Sequence, residues 1–365
     1  MRRLILILVS LGCAAVAPLS AQSTARVGLA TRVFHPEQRR NWRGAEHKEL
    51  RCTIWYPAAS TATETKQLIG PPDEPLFEAG SAALNAEFAP ALRKLPLVLL
   101  SHGSGGSAEQ FAWLGTALAR AGYIAVAVDH PGNNSHEPYT SEGFILSWER
   151  ATDLSEVLDG VLADAEFGPH IDPQRVGAAG FSIGGYAVME IAGAQTDISI
   201  LFDFCKEHPD TTSCHVPEMR GMGSPKEMLQ AVRKSSRESL ARSGESFRDE
   251  RVQAVFAIAP ANGMVLTDES LRAMRLPVEM VVGKTDPIAD PRDNANWIHM
   301  NVRGSRETLL SGGVEHYTFL DTCTAAGKSK LGVYCADNAG VNRDAVHAQV
   351  AAMAVKFFDR ALKAR

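Results

Sequence analysis

The chain has 365 residues, 45% hydrophobic and 22% charged, with a formal net charge of -5. This is the composition of a globular chain long enough for one large core, and its mild acidity gives no electrostatic case for a nucleic acid or an anionic membrane surface as partner. The first residues read as a secretory signal: Arg2-Arg3, an apolar run over 4–16, then Leu19-Ser20-Ala21 ahead of Gln22. Cleavage is expected after Ala21, leaving 22–365 as one exported domain, periplasmic or secreted. The apolar run is too short to span a bilayer, and no later stretch is long enough either. Cys13 leaves lipid attachment as an alternative, although Ser10 stands where such signals usually carry Leu.

Beyond the signal the pattern alternates strand and helix. Strands are expected at 50–56 and 95–100, the second a continuous apolar run suited to a strand buried on both faces. A helix follows at 110–121, with Phe111, Leu114, Leu118 and Ala121 at helical spacing. Next come a strand at 123–128 ending in Asp129-His130-Pro131-Gly132, a helix at 152–165 and a strand at 175–179. Strands at 252–259 and 276–282, a shorter one at 307–310 and an amphipathic helix at 342–362 complete the order. The fold class is therefore α/β, a mainly parallel sheet with helices on both faces.

Two stretches break the rhythm. Residues 61–94 carry Pro71, Pro72, Pro75 and Pro90 and read as a surface loop. Residues 196–251 are charge-rich, with a helix expected from Pro225 to near Leu240, and read as a helical cap over the active-site end of the sheet. A surface insertion that never meets substrate is the alternative. Within this cap Met219, Met222 and Met228 offer an adaptable apolar wall.

Five cysteines follow the signal. Cys205/Cys214 and Cys323/Cys335 are each close enough in sequence to close a short loop, as expected of an exported chain. Cys52 sits in a strand pattern and reads as a buried free thiol. Zinc on Cys205, His208, Cys214 and His215 is the competing reading, at a spacing that matches no common zinc arrangement.

The chemistry is concentrated at Gly180-Phe181-Ser182-Ile183-Gly184, directly after the strand at 175–179 and before a helical stretch of small residues. Strand, Gly-x-Ser-x-Gly and helix in that order make a nucleophile elbow, a sharp turn that lifts the serine Oγ above the sheet. A serine becomes nucleophilic when a base takes its proton, so one of the eleven histidines must meet Ser182 in space. Two further segments bear on this: Ser101-His102-Gly103-Ser104-Gly105-Gly106, after the strand at 95–100, and the late Gly313-Val314-Glu315-His316-Tyr317-Thr318-Phe319. The first has neither the Lys-Ser/Thr ending nor the register of a phosphate loop.

Together these segments resemble the α/β-hydrolase superfamily over most of the chain after the signal. The His-Gly-x-Gly loop, the Gly-x-Ser-x-Gly-Gly elbow and the Gly-x-x-His-Tyr-x-Phe segment look most like bacterial dienelactone-hydrolase-like proteins. These in turn resemble secreted platelet-activating-factor acetylhydrolases and polyester hydrolases. True dienelactone hydrolases carry cysteine where this chain has Ser182. Platelet-activating-factor acetylhydrolases take their acid after the strand that here ends Ala257-Ile258-Ala259-Pro260-Ala261, without a carboxylate.

The resemblance implies a base after the last strand and an acid after an earlier one. His316 occupies the first place, whereas His347 falls within the last helix, His299 on an earlier one, and His35 and His47 come too early. A loop histidine held by its neighbours is the alternative reading of His316. Asp286, just past the strand at 276–282, is the expected acid and Asp290 the reserve, since Asp commonly caps a helix start. The backbone amides of Ser104 and Ile183 are the expected oxyanion donors, with His102 bracing their loop.

The implied function is cleavage of a small-molecule carboxylic ester through an acyl-enzyme, with neither cofactor nor metal. A serine peptidase or aminopeptidase of the same fold and a non-catalytic binding protein remain as alternatives. Nothing in the sequence sets the acyl group, the alcohol or the oligomeric state.

Overall fold

The computed structural model describes residues 25–36, 40–90 and 93–363. The expected signal, its cleavage point and Cys13 lie outside these residues. Among the described residues eleven strands form one sheet: β1 (Arg26–Phe34), β2 (Leu50–Ala58), β3 (Thr65–Ile69), β4 (Phe77–Leu84), β5 (Leu95–Ser101), β6 (Ile124–Val128), β7 (Ile171–Phe181), β8 (Val252–Ile258), β9 (Val278–Gly283), β10 (Arg306–Leu310) and β11 (Thr322–Cys323). The order across the sheet is β10-β9-β8-β7-β5-β6-β2-β1-β4-β11, with β3 paired to β4. Strands β6, β5, β7, β8, β9 and β10 run parallel, as the alternating pattern requires. β2 joins β6 antiparallel and extends the sheet through β1.

The helices are α1 (Ala112–Arg120), α2 (Ser141–Ile145), α3 (Glu149–Ala163), α4 (Ile183–Ile191), α5 (Ile198–Glu207), α6 (Pro225–Ser235), α7 (Arg237–Ala241), α8 (Asp268–Ala273), α9 (Ala295–Asn301), α10 (Ala325–Lys330) and α11 (Arg343–Phe358). Among the described residues none is long and apolar enough to cross a membrane. The central strands are buried over most of their length, as in Val98, Leu99 and Leu100 of β5 or Val255, Phe256 and Ala257 of β8. α11 starts one residue after the expected position because Asn342 is its cap, accepting the Ala345 amide at 3.0 Å.

The expected surface loop at 61–94 is corrected. It holds β3 and β4, and β4 pairs in parallel with β1. The sequence Phe-Glu-Ala-Gly-Ser-Ala-Ala-Leu is poor in β-formers, and this strand is held by its neighbours rather than by propensity. β1 itself was not anticipated from the sequence. The single cap helix expected from Pro225 to near Leu240 is two helices, broken at Ser236, and α5 precedes them.

Residues 196–251 rest on a small apolar cluster of their own. Ile145, Leu146 and Trp148 meet Met228, Leu229 and Val232 there, apart from the main core. Cys205–Cys214 and Cys323–Cys335 are disulfides and Cys52 is a buried free thiol. With both sulfurs in a bond, the zinc reading of Cys205 and Cys214 falls.

Candidate active site

β7 delivers Ser182 to the carboxyl edge of the sheet and α4 begins at the next residue. The serine adopts φ 56° and ψ −123°, a conformation that L-residues rarely hold. Its amide donates to the Ile258 carbonyl at 2.9 Å and its carbonyl accepts from Tyr186 at 3.2 Å, so strand and helix together hold the strained turn. Gly180 and Gly184 are there for space. A Cβ on Gly180 would strike the Gly184 carbonyl, and one on Gly184 the Ser101 carbonyl.

His316 opens a short 3-10 turn after β10, and Asp286 follows β9. His316 Nε2 lies 2.9 Å from Ser182 Oγ, and His316 Nδ1 lies 2.8 Å from Asp286 Oδ2. An ionised carboxylate only accepts, so Nδ1–H donates to Asp286 and Nε2 is left to accept the Ser182 hydroxyl proton. The other Asp286 oxygen accepts the Ile288 and Ala289 amides, each at 2.9 Å, which fixes the carboxylate's orientation. The structure thus brings together Ser182, His316 and Asp286. It leaves Asp290 outside, where that side chain binds the exposed Arg292. The His316 turn is held from behind. His347 Nε2–H donates to the Thr318 carbonyl at 2.9 Å, and Trp113 Nε1–H donates to the Phe319 carbonyl at 3.0 Å. Burial pushes the His347 imidazole down to about 4, so it is a neutral prop. His299 lies on α9 and meets Ser305.

Ser104 and Ile183 both line the cleft beside Ser182, and among the described residues neither amide N–H has an acceptor. Gly103 lies against Ser182: a Cβ there would come within 3.4 Å of Ser182 Cβ. His102 braces this loop as expected, its Nδ1–H donating to the Gly103 carbonyl at 2.7 Å while Nε2 accepts the His130 amide at 3.1 Å. Arg150 donates to the His102 carbonyl at 2.6 Å, and the Gly105 amide donates to Asn133 at 2.6 Å.

Beneath the loop is a second serine–histidine–aspartate line that sequence reading missed. Ser101 Oγ lies 2.8 Å from His130 Nε2, and His130 Nδ1 lies 2.7 Å from Asp153 Oδ2. Burial and the nearby Arg150 hold the His130 imidazole down to about 3, so this is a hydrogen-bonded chain through a neutral ring rather than an ion pair. Ser101 is wholly buried within a regular strand, whereas Ser182 stands in a strained turn facing the cleft. The second line is a brace. Its only sequence signal was Asp129-His130-Pro131-Gly132 at a strand end. Asp153 also pairs with the buried Arg40 and Arg43, so Asp153→Ala is expected to cost about 3–5 kcal/mol by leaving the buried Arg43 guanidinium without its counter-charge and His130 Nδ1 without its acceptor, while Arg40 keeps Glu156. Denaturant unfolding measures this.

The cleft has a volume of about 570 Å³, within the usual range for a small-molecule site. Leu201, Val216, Met219 and the Cys205–Cys214 disulfide bring residues 196–251 to its wall. The expected methionine wall is corrected: Met219 lines the cleft, while Met228 packs inside the cap's apolar cluster with Met222 against it. Met228→Ala is therefore expected to lower stability by about 2–5 kcal/mol. Met219→Ala should instead change relative kcat/KM between neighbouring acyl lengths by about tenfold. Thermal midpoints and an acyl-length series separate the two effects.

Glu109, Asp129 and His136 bring possible ligand atoms within 4.8 Å of one another. Arg51 already stands 3.5 Å from Glu109 and 3.7 Å from Asp129, supplying the positive charge that a metal ion would bring.

Comparison with known proteins places this geometry. The chain is 28% identical over 96 residues to Lipase 1 of Moraxella sp. (strain TA144), covering 26% of this chain and 27% of that one. It is also 28% identical over 103 residues to Cutinase est1 of Thermobifida alba, covering 28% of this chain and 31% of that one. The match thus spans less than a third of the length of either relative. The fold superposes on a ferulic acid esterase from Streptomyces cinnamoneus with a TM-score of 0.63 at 20% identity, covering 96% of this chain and 93% of that one. Residues 97–325, which include Ser104, Ser182, Asp286 and His316, match the Alpha/beta hydrolase family, and the chain belongs to that family.

Proposed function

We propose that the protein hydrolyses carboxylic esters through an acyl-enzyme. The observation that carries the proposal is the hydrogen-bonded line from Ser182 through His316 to Asp286, with its serine facing a small-molecule cleft. In this mechanism Ser182 Oγ attacks the ester carbonyl as His316 Nε2 takes its proton. The amides of Ser104 and Ile183 receive the developing oxyanion, and both are free to do so. His316 then returns the proton to the leaving alcohol. Water repeats the sequence on the acyl-enzyme, releasing the acid and restoring Ser182. Asp286 holds the tautomer and stabilises the imidazolium between the two proton transfers.

The relatives' names, lipase and cutinase, and the esterase of similar fold agree with an ester as the substrate class. The cap wall formed by residues 196–251 is the part of the protein that would set substrate choice. Export belongs to the same proposal: two disulfides suit an oxidising compartment, and residues 1–21 read as its signal. Purified protein is expected to cleave p-nitrophenyl esters in a graded acyl series and to leave aminoacyl anilides intact. Cleavage of the anilides alone would reassign the protein as a peptidase.

A further inference from the structure

Besides His316 the cleft is lined by His136, whose imidazole pKa is raised by its hydrogen bond to Glu109 at 2.9 Å and which is already paired there. Among the described residues that line the cleft, Glu218 is the only Asp, Glu, Lys or Arg. It sits on the cap, half-buried, and no ion pair to it exists among the described residues. Its polar contact is the Tyr317 hydroxyl, which donates to Glu218 Oε1 at 3.0 Å. Tyr317 is the neighbour of His316, so this carboxylate stands beside the catalytic end of the cleft rather than at a remote rim.

Three phenol rings line the same space. Tyr317 and Tyr334 meet edge to face with centroids 4.8 Å apart, and Tyr139 lines the cleft with them. Burial pushes all three phenols above their ordinary range, and the Glu218 charge pushes each further. Burial likewise raises the Glu218 carboxyl itself. The positive charge that acts on Glu218 is that of protonated His316 at the catalytic end, whereas Arg220, which acts on Tyr334, is exposed and does not line the cleft.

A carboxylate beside aromatic rings is poorly matched to an anionic ligand. It is well matched to an ammonium, which gains both the counter-charge and the negative faces of the rings. We propose that Glu218 with Tyr139, Tyr317 and Tyr334 forms a subsite for an ammonium group, so that the preferred esters are cationic ones. This rests on the ester-hydrolase reading for its catalytic consequence but not for binding.

The test uses a matched pair that differs in charge alone, choline and 3,3-dimethylbutan-1-ol. Calorimetry on the Ser182→Ala protein is expected to show choline binding at least about tenfold more tightly than its carbon isostere. Adding Glu218→Gln should remove that preference, and Tyr334→Leu, placed on a different element, should reduce it. Thermal midpoints on the same samples show whether each variant is folded. Equal or reversed binding of the pair, or a preference that survives in folded Glu218→Gln protein, overturns the subsite. Because the calorimetry needs no turnover, it decides the subsite even if p-nitrophenyl acetate is not cleaved, a failure that would overturn the ester reading instead. If esters are cleaved, acetylthiocholine should exceed 3,3-dimethylbutyl thioacetate in kcat/KM by a similar factor.

Discussion

Ser182→Ala is expected to lower ester hydrolysis by about 10⁴-fold or more while leaving the protein folded. The size follows from what is removed. Without Oγ no acyl-enzyme forms, and His316 is left to act on water that no strained turn holds in place. The Ser104 and Ile183 amides remain, so a residual rate above the uncatalysed reaction is expected from the oxyanion site and binding alone. The change removes one atom from a residue that is 8% exposed, and the Ile258 and Tyr186 backbone bonds that hold the turn are untouched. A thermal midpoint close to that of the parent is therefore expected. Substantial turnover in a contamination-free preparation of this variant would show that Ser182 is not the nucleophile.

How far the sequence carried depends on how local each constraint is. The elbow was legible because its demands fall within five residues: two glycines that cannot bear a Cβ, a strand before and a helix after. The buried central strands announced themselves as unbroken apolar runs such as Pro96-Leu97-Val98-Leu99-Leu100. His316 and Asp286 were reached through the resemblance, which supplied the chain order that spacing alone does not.

Features made by distant pairing were hidden. Between Phe77 and Leu84 β4 carries only small and polar residues, and it exists because β1, β3 and β11 pair with it. The Ser101–His130–Asp153 brace joins three elements, and nothing in any one of them announces the others. Residues 196–251 stood out by their break in rhythm, but which of their side chains face the cleft did not. Met219 and Met228 look alike in sequence, and only packing sends one to the cleft wall and the other inward.

Asp286→Asn is expected to lower kcat by about 10⁴-fold with little change in KM, whereas Asp290→Asn should leave both within about threefold. Both Asp286 oxygens are committed. Oδ1 accepts the Ile288 and Ala289 amides and Oδ2 accepts His316 Nδ1–H. An asparagine keeps its carbonyl oxygen on those two amides, because its NH₂ group cannot accept from them. The NH₂ must then face His316 Nδ1, which can satisfy it only as an acceptor. The ring proton moves to Nε2, the atom that has to take the Ser182 proton, and the base is lost while the geometry is kept. Asp290 has no such link: its carboxylate is tied to its own neighbour Arg292, and that pair is exposed. Steady-state kinetics of the two variants, with thermal midpoints as a folding control, decide the matter. A large loss in Asp290→Asn together with a small one in Asp286→Asn would transfer the role to Asp290.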